Sequence, residues 1–348
     1  MLLAAAAPPG ALLAAVAVGI ALAALVARPA RAQHVPAQHT PAQHAAAKRA
    51  PAPAALLVAR ADSLTRGGQL ERAERLLFAA VRREPRDPGS RLALGRYLAA
   101  RGALKVGAVL MEEARFFGGD AREVAWELAP VYARLGDYKA LHALPRTPLG
   151  DAQQARAAWL RTHPPAVVGP DAAVVPFTPR DGAALGVVRI VIGPDTLQAT
   201  VDPAVEGLVL DRRWTRRREN RVFRNGPLGE RGAVGITGAV RLGALTLTNV
   251  PTAYRRQAGM RRAQLGLDLF TTLVPTLDPK RGRMTVRRAG PADSHRGDRL
   301  PTLVTAAGVL VVGPHGAWPL ASAEGRALLG TGRVTVDAGR GVVIVERR

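Results

Sequence analysis

The chain has 348 residues, 48% hydrophobic and 22% charged, which supplies enough apolar surface for two folded domains. It has no cysteine, which excludes disulfides, thiolate nucleophiles, iron–sulfur clusters and cysteine-based zinc sites. The 49 Lys and Arg against 27 Asp and Glu give a formal +22, but aromatic residues make up only 4%, too few for base-stacking platforms. The charge therefore reads as an anion-attracting surface and not as a nucleic-acid site.

Ala11 to Val26 is an apolar run, closed by Pro29 and a small-x-small pair at Ala30 and Ala32. Residues 1–32 are accordingly read as a signal peptide cleaved after Ala32, which sends the mature chain to the periplasm or beyond. After cleavage no stable membrane span remains. The alternative is retention as an inner-membrane anchor through residues 11–27, since no basic residue precedes the run. Residues 33–54 repeat Gln33-His34, Gln38-His39 and Gln43-His44 in a Pro/Ala/Gln background. Such a stretch buries too little apolar area to offset chain entropy, so it is a linker. Its histidines have no convergent carboxylate to fix a geometry, and no metal is assigned to them.

Residues 55–163 become helical and self-similar. Gly68, Gly102 and Gly136 recur every 34 residues, each followed two places on by Leu70, Leu104 or Tyr138. Small residues fall at Ala61, Gly95 and Ala129, and large ones three places later at Leu64, Leu98 and Tyr132. Ala73, Ala80, Gly107 and Ala114 continue the small positions, and Pro85 closes the first unit. This pattern resembles the tetratricopeptide repeats, which implies stacked helical hairpins, here three, with a capping helix at Asp151 to Trp159. Two roles follow for so short an array: a groove for a peptide or protein partner, or a docking arm for the next domain.

A Pro-rich connector is expected at residues 164–182, after which the hydrophobic period falls to two. In residues 183–290, Val187 to Ile192 and Thr196 to Val201 form a hairpin about Gly193-Pro194-Asp195, and Asp202 follows directly. Gly207 to Leu210 is a further strand, and a basic segment runs from Asp211 to Arg218. A hairpin turned at Gly243 spans Ala239 to Val250. Gln264 to Phe270 is a strand breaking into a short helix, and Thr276 to Arg288 closes the region with a turn at Lys280-Arg281-Gly282.

The order of these elements, with Leu265-Gly266-Leu267 and Leu277-Asp278-x-x-Arg281-Gly282, resembles one lobe of the retropepsin-like aspartic proteases. The fold so implied is an all-β barrel behind a helical array. In that family two carboxylates, one per lobe, share a proton and hold a water between them. Asp202 is the single candidate catalytic residue that the resemblance implies. Its surroundings depart from the family's Asp-Thr-Gly, since the chain reads Asp202-Pro203-Ala204-Val205. Pro203 offers neither a hydroxyl nor an N–H, and Ala204 places a methyl where glycine is required. The resemblance thus implies a pseudoenzyme that binds a peptide or protein. The alternative is a homodimeric endopeptidase in which Asp202 activates water.

Residues 300–348 hold a partial copy of the same pattern. Gly266 to Arg288 and Gly325 to Arg347 align at an offset of 59 with nine identities, including Thr276/Thr335, Asp278/Asp337 and Gly282/Gly341. This reads as a stripped second lobe that supplies no counterpart of Asp202. No cofactor is expected, and His142, His163, His295 and His315 show no metal-ligand spacing.

Overall fold

The computed structural model describes residues 53–180, 185–223, 233–256, 262–270, 273–289, 297–305, 308–313 and 316–347. The signal peptide expected at residues 1–32 and linker residues 33–52 lie outside them. Among the described residues no helix is long and apolar enough to cross a membrane.

Seven helices come first: α1 (Pro53–Arg66), α2 (Leu70–Arg83), α3 (Pro88–Ala100), α4 (Leu104–Phe116), α5 (Ala121–Leu135), α6 (Tyr138–Ala143) and α7 (Arg146–Leu160). Aspartates start three of them. Asp87, Asp120 and Asp137 accept from the N–H of Ser90, Glu123 and Ala140 at 2.7, 2.7 and 2.9 Å, satisfying donors that the first turn leaves unpaired. Leu70, Ala73, Leu77 and Ala80 make one buried stripe along α2, the spacing a helix needs to pack on one side. Gly68, Gly102 and Gly136 occupy the turns between paired helices with φ of 74°, 91° and 69°, so the 34-residue recurrence marks a repeated left-handed turn. The capping helix begins earlier than expected, at Arg146, and kinks at Gly150.

The array docks on the β region along its turns. A Cβ added to Gly68 would stand 3.0 Å from Gly316 Cα, and one on Gly102 would stand 2.8 Å from Gly339 O. Leu303 and Val312 of the tail share a core with Ala61, Leu70 and Tyr97. At the far end Tyr138 and Leu160 pack with Ile236, while Trp159 stacks on His163 at 4.1 Å beneath Arg221. Docking is thus one role of the array.

The connector expected at residues 164–182 is instead mostly strand. β1 (Ala166–Val168) pairs with β8 (Leu245–Arg255), and β2 (Ala172–Pro179) is an internal strand. Val175 and Phe177 of β2 are buried while Val174 and Pro176 are exposed, the alternation of a half-buried strand. Its prolines disguise it, yet they sit where they do no harm. β2 pairs with β11 (Arg283–Arg288) through Pro176 and with β3 (Gly186–Ile192) from Phe177 onward, so Pro176 lies at the hand-over between neighbours.

β3, β4 (Asp195–Val201), β9 (Arg262–Leu265), β5 (Leu208–Asp211), β8 and β7 (Ala233–Leu242) follow in spatial order, and β7 returns to β3 at Arg241 and Val191. That closes a barrel about Trp214, Tyr254, Phe177 and Phe270. The expected hairpins at Gly193, Gly243 and Gly282 all form. β7 starts at Ala233, inside what reads in sequence as a Gly-punctuated loop.

The tail repeats the closing hairpin about a local two-fold. β12 (Asp298–Thr305), β13 (Gly308–Gly313), β14 (Gly316–Pro319), helix α8 (Ala323–Thr331), β15 (Gly332–Asp337) and β16 (Val342–Arg347) extend the sheet in the order β14-β13-β12-β16-β15-β10-β11-β2-β3-β4, where β10 is Leu273–Asp278. The order mirrors itself about the β10–β15 seam. There Thr276 faces Thr335, and their hydroxyls bond at 2.9 Å. Asp278 and Asp337 accept from the N–H of Arg281 and Arg340 at 3.2 and 3.0 Å. Phe177 and Thr302 each donate an N–H, at 2.8 Å, to Gly282 and Gly341. Pro301 stands at the hand-over of β12 from β16 to β13, as Pro176 does in β2.

Candidate functional site

β4 carries the chain to Asp202. Leu197, Ala199 and Val201 point into the core, so the alternation turns Gln198, Thr200 and Asp202 outward; Gln198 is exposed, and Thr200 and Asp202 are half-buried. β9 lies between β4 and β5, parallel to the first and antiparallel to the second. The segment from Asp202 to Gly207 bridges those two strands across the end of β9. It is fixed at both ends: the N–H of Asp202 donates to Leu265 O at 3.0 Å, and that of Gly266 donates to Gly207 O at 2.8 Å.

Within the loop, the N–H of Ala204 donates to Asp202 Oδ1 at 2.9 Å and that of Val205 to Asp202 O at 3.3 Å. One carboxylate oxygen of Asp202 is thus engaged by its own loop, as in a turn that an aspartate side chain closes. Pro203 is buried and Ala204 exposed. The cover over Pro203 comes from the tail. Gly308 opens β13 with φ of 107°, and a Cβ there would fall 2.9 Å from Pro203 C and 3.0 Å from Ala204 Cα. Only a residue without a side chain allows so close an approach in that conformation. The tail therefore rests directly on the loop that carries Asp202.

Glu206, four residues after Asp202 in the same loop, is exposed. Asp278 is buried under the closing hairpin, where it caps the turn and faces Arg283 and Arg333, each at 3.8 Å. Among the described residues the tail from β12 onward has four acidic side chains, and all four are engaged within it. Asp298 pairs with Arg347 at 2.9 Å, Asp337 with Arg340 at 3.4 Å and Glu346 with Arg333 at 3.0 Å. Glu324 accepts from the Ser322 hydroxyl at 2.6 Å, which holds its carboxyl below the usual range. Among the described residues no group of three His, Asp or Glu side chains could hold a metal ion.

Two concavities stand out among the described residues, one on the helical array and one on the sheet that carries Thr200. One, of about 600 Å³, lies between α4 and α5 and is lined by Lys105, Val109, Glu112, Phe116, Tyr132 and Leu135. Phe116 at its edge is 83% exposed, an unusual state for so large an apolar side chain. The other, of about 320 Å³, lies on the outer face of β2, β3, β4 and β9 and includes Arg180, Gln198, Thr200 and Arg262. Sequence reasoning missed this second set because the threading of β9 beside β4 is a long-range event. The signal within reach was local: polar Gln198 and Thr200 alternate with apolar neighbours.

No protein-family model matches the sequence, and no curated protein matches it. Among solved structures the chain is similar to a retropepsin-like aspartic protease from Rickettsia conorii, with 13% identity and a TM-score of 0.25. That similarity covers 36% of this chain and 93% of the other.

Proposed function

We propose that this is an exported, non-catalytic relative of the pepsin-type proteases that works by binding a peptide or protein. The observation that carries the reading is that, among the described residues, the tail offers Asp202 no unengaged carboxylate. An aspartic dyad needs a second carboxylate close enough to share a proton and a water. The four tail carboxylates are all engaged elsewhere, and the tail's own strand leads from Pro319 through Leu320, Ala321 and Ser322 into α8 with no acid at that place. A second copy of the chain would have to approach where β15 already pairs with β10 and where Gly308 already rests on Pro203. The loss of the hydroxyl and the glycine at Pro203 and Ala204 points the same way.

The 34-residue recurrence of turn glycines supports reading the helices as a short tetratricopeptide-type array. The exposed Phe116 and the concavity beside it support a partner on that array. Export is supported by the Ala30-x-Ala32 pattern after the apolar run.

The full chain and its Asp202→Asn variant, incubated with denatured protein between about pH 3 and 7, test the loss of catalysis over the range in which a carboxylate dyad titrates. Equal, background cleavage by both is expected. Cleavage abolished by Asp202→Asn would restore the homodimeric endopeptidase.

A further inference from the structure

The outer face of the β lobe carries an arginine-lined cavity that the catalytic reading leaves unused. Across the sheet, Thr178 stands opposite Val187 and Val187 opposite Thr200. In the next row Gln198 stands opposite both Arg189 and Arg262. Among the described residues, Thr178, Pro179, Arg180, Val187, Gln198, Thr200 and Arg262 line the cavity of about 320 Å³, and none of these seven is acidic. Some arginines elsewhere face an acid: Arg213 faces Asp211 at 3.0 Å, Arg217 faces Asp195 at 3.2 Å and Arg347 faces Asp298 at 2.9 Å. Here two arginines line a concavity together with two threonines and one glutamine.

We propose that this cavity binds the carboxylate of a peptide, with Arg180 and Arg262 holding the carboxylate and Gln198 an adjoining amide. Guanidinium presents paired, coplanar donors that match a carboxylate's two oxygens. The volume is at the lower end of small-ligand sites, room for one acidic residue and its flanking amides and well beyond a lone inorganic anion. The apolar walls, Pro179 and Val187, suit the methylenes of such a residue. Asp202 follows Thr200 by two residues along the same strand direction, so a peptide anchored here lies alongside the Asp202 loop. The inference rests on the binding reading above in taking a peptide as ligand.

The test uses the full chain and ligand-observed NMR with three N-acetylated tripeptides. These are acetyl-Ala-Glu-Ala-amide, its Gln counterpart, and the Gln peptide with a free C-terminal carboxylate; inorganic phosphate is the competitor. The glutamate peptide, the free-carboxylate peptide or both should bind roughly tenfold more tightly than the fully neutral one, and which of the two does so identifies the source of the carboxylate. The preference should shrink as salt rises from about 50 to about 300 mM. Arg262→Gln and Arg180→Gln should each reduce it, and Arg262→Lys should retain part of it. Both arginines are exposed, so the variants should melt with the parent protein.

Equal binding of all three peptides would overturn the carboxylate site while leaving peptide binding intact. A preference that survives both Gln variants would place the site elsewhere and overturn it as well. Phosphate binding without any peptide binding, or no binding at all, would overturn the site and count against a peptide ligand together.

Discussion

The hydroxyls of Thr276 and Thr335, 2.9 Å apart at the seam between the two halves, give the sharpest test of how the tail completes the fold. Thr276 is 2% and Thr335 1% exposed, so neither can turn to water. Replacing one by valine keeps its volume but strands the other hydroxyl, a loss of about 1.5 kcal/mol for each single variant. Independent sites would sum to about 3 kcal/mol. With both hydroxyls gone no polar group is stranded, and Thr276→Val/Thr335→Val should lose only about 1 kcal/mol, leaving a coupling of about 2 kcal/mol. Urea unfolding read by far-ultraviolet circular dichroism measures all four proteins, with unchanged denaturant slopes as the check that only stability moved. In thermal melts each single variant should fall by roughly 3 to 6 °C. Additive losses would refute the reasoning, because they would mean that the two hydroxyls do not meet and the β10–β15 seam is not as described.

Other expected outcomes follow from the same geometry. Gly102→Ala meets both a left-handed backbone and the Gly339 carbonyl, whereas Gly136→Ala meets the backbone cost alone, with nothing within 4 Å. Melts should show Gly136→Ala losing about 1 kcal/mol and Gly102→Ala at least about 1 kcal/mol more. Asp278→Ala removes a buried cap and leaves Arg283 and Arg333 without their shared partner, so a loss of about 2–4 kcal/mol is expected in urea titrations. Burial pushes the Tyr97 hydroxyl up from 10.0 to about 12, and burial also raises Tyr132 and Tyr254. The neutral phenol is favoured in the folded state, so this stabilisation is complete below pH 10 and is lost as pH rises through the folded value near 12. Tyrosinate absorbance should therefore lag well behind that of free tyrosine and rise together with loss of helical signal. Ionisation of all four tyrosines near pH 10, in the folded chain, would contradict it.

What the sequence makes plain is what is decided locally. Gly68, Gly102 and Gly136 fall at left-handed turns, and the hairpins at Gly193, Gly243 and Gly282 form because two-residue periodicity and turn residues act over a few positions. β2 escapes notice because Pro176 and Pro179 argue against a strand. Only the sheet order reveals that Pro176 sits where β2 changes neighbours. The offset of 59 foreshadows the tail's likeness to the closing hairpin, but not that Thr276 and Thr335 meet on a two-fold. Asp202 is legible as a residue. The engagement of the tail carboxylates and the contact of Gly308 with its loop are not, since those residues lie roughly a hundred or more positions further along the chain. The cavity at Arg180 and Arg262 depends on β9 lying beside β4, which no local pattern announces.

We infer that the tail takes the place a second copy would occupy beside Asp202. Sedimentation equilibrium of the full chain, run between about 1 and 100 μM, tests it most directly, because an obligate dimer is inseparable from protomer concentration. The mass of one chain is expected throughout. A dimer across that range, weakened by Thr276→Val and by a bulky replacement of Gly308, would show that two copies meet at this seam and would contradict it.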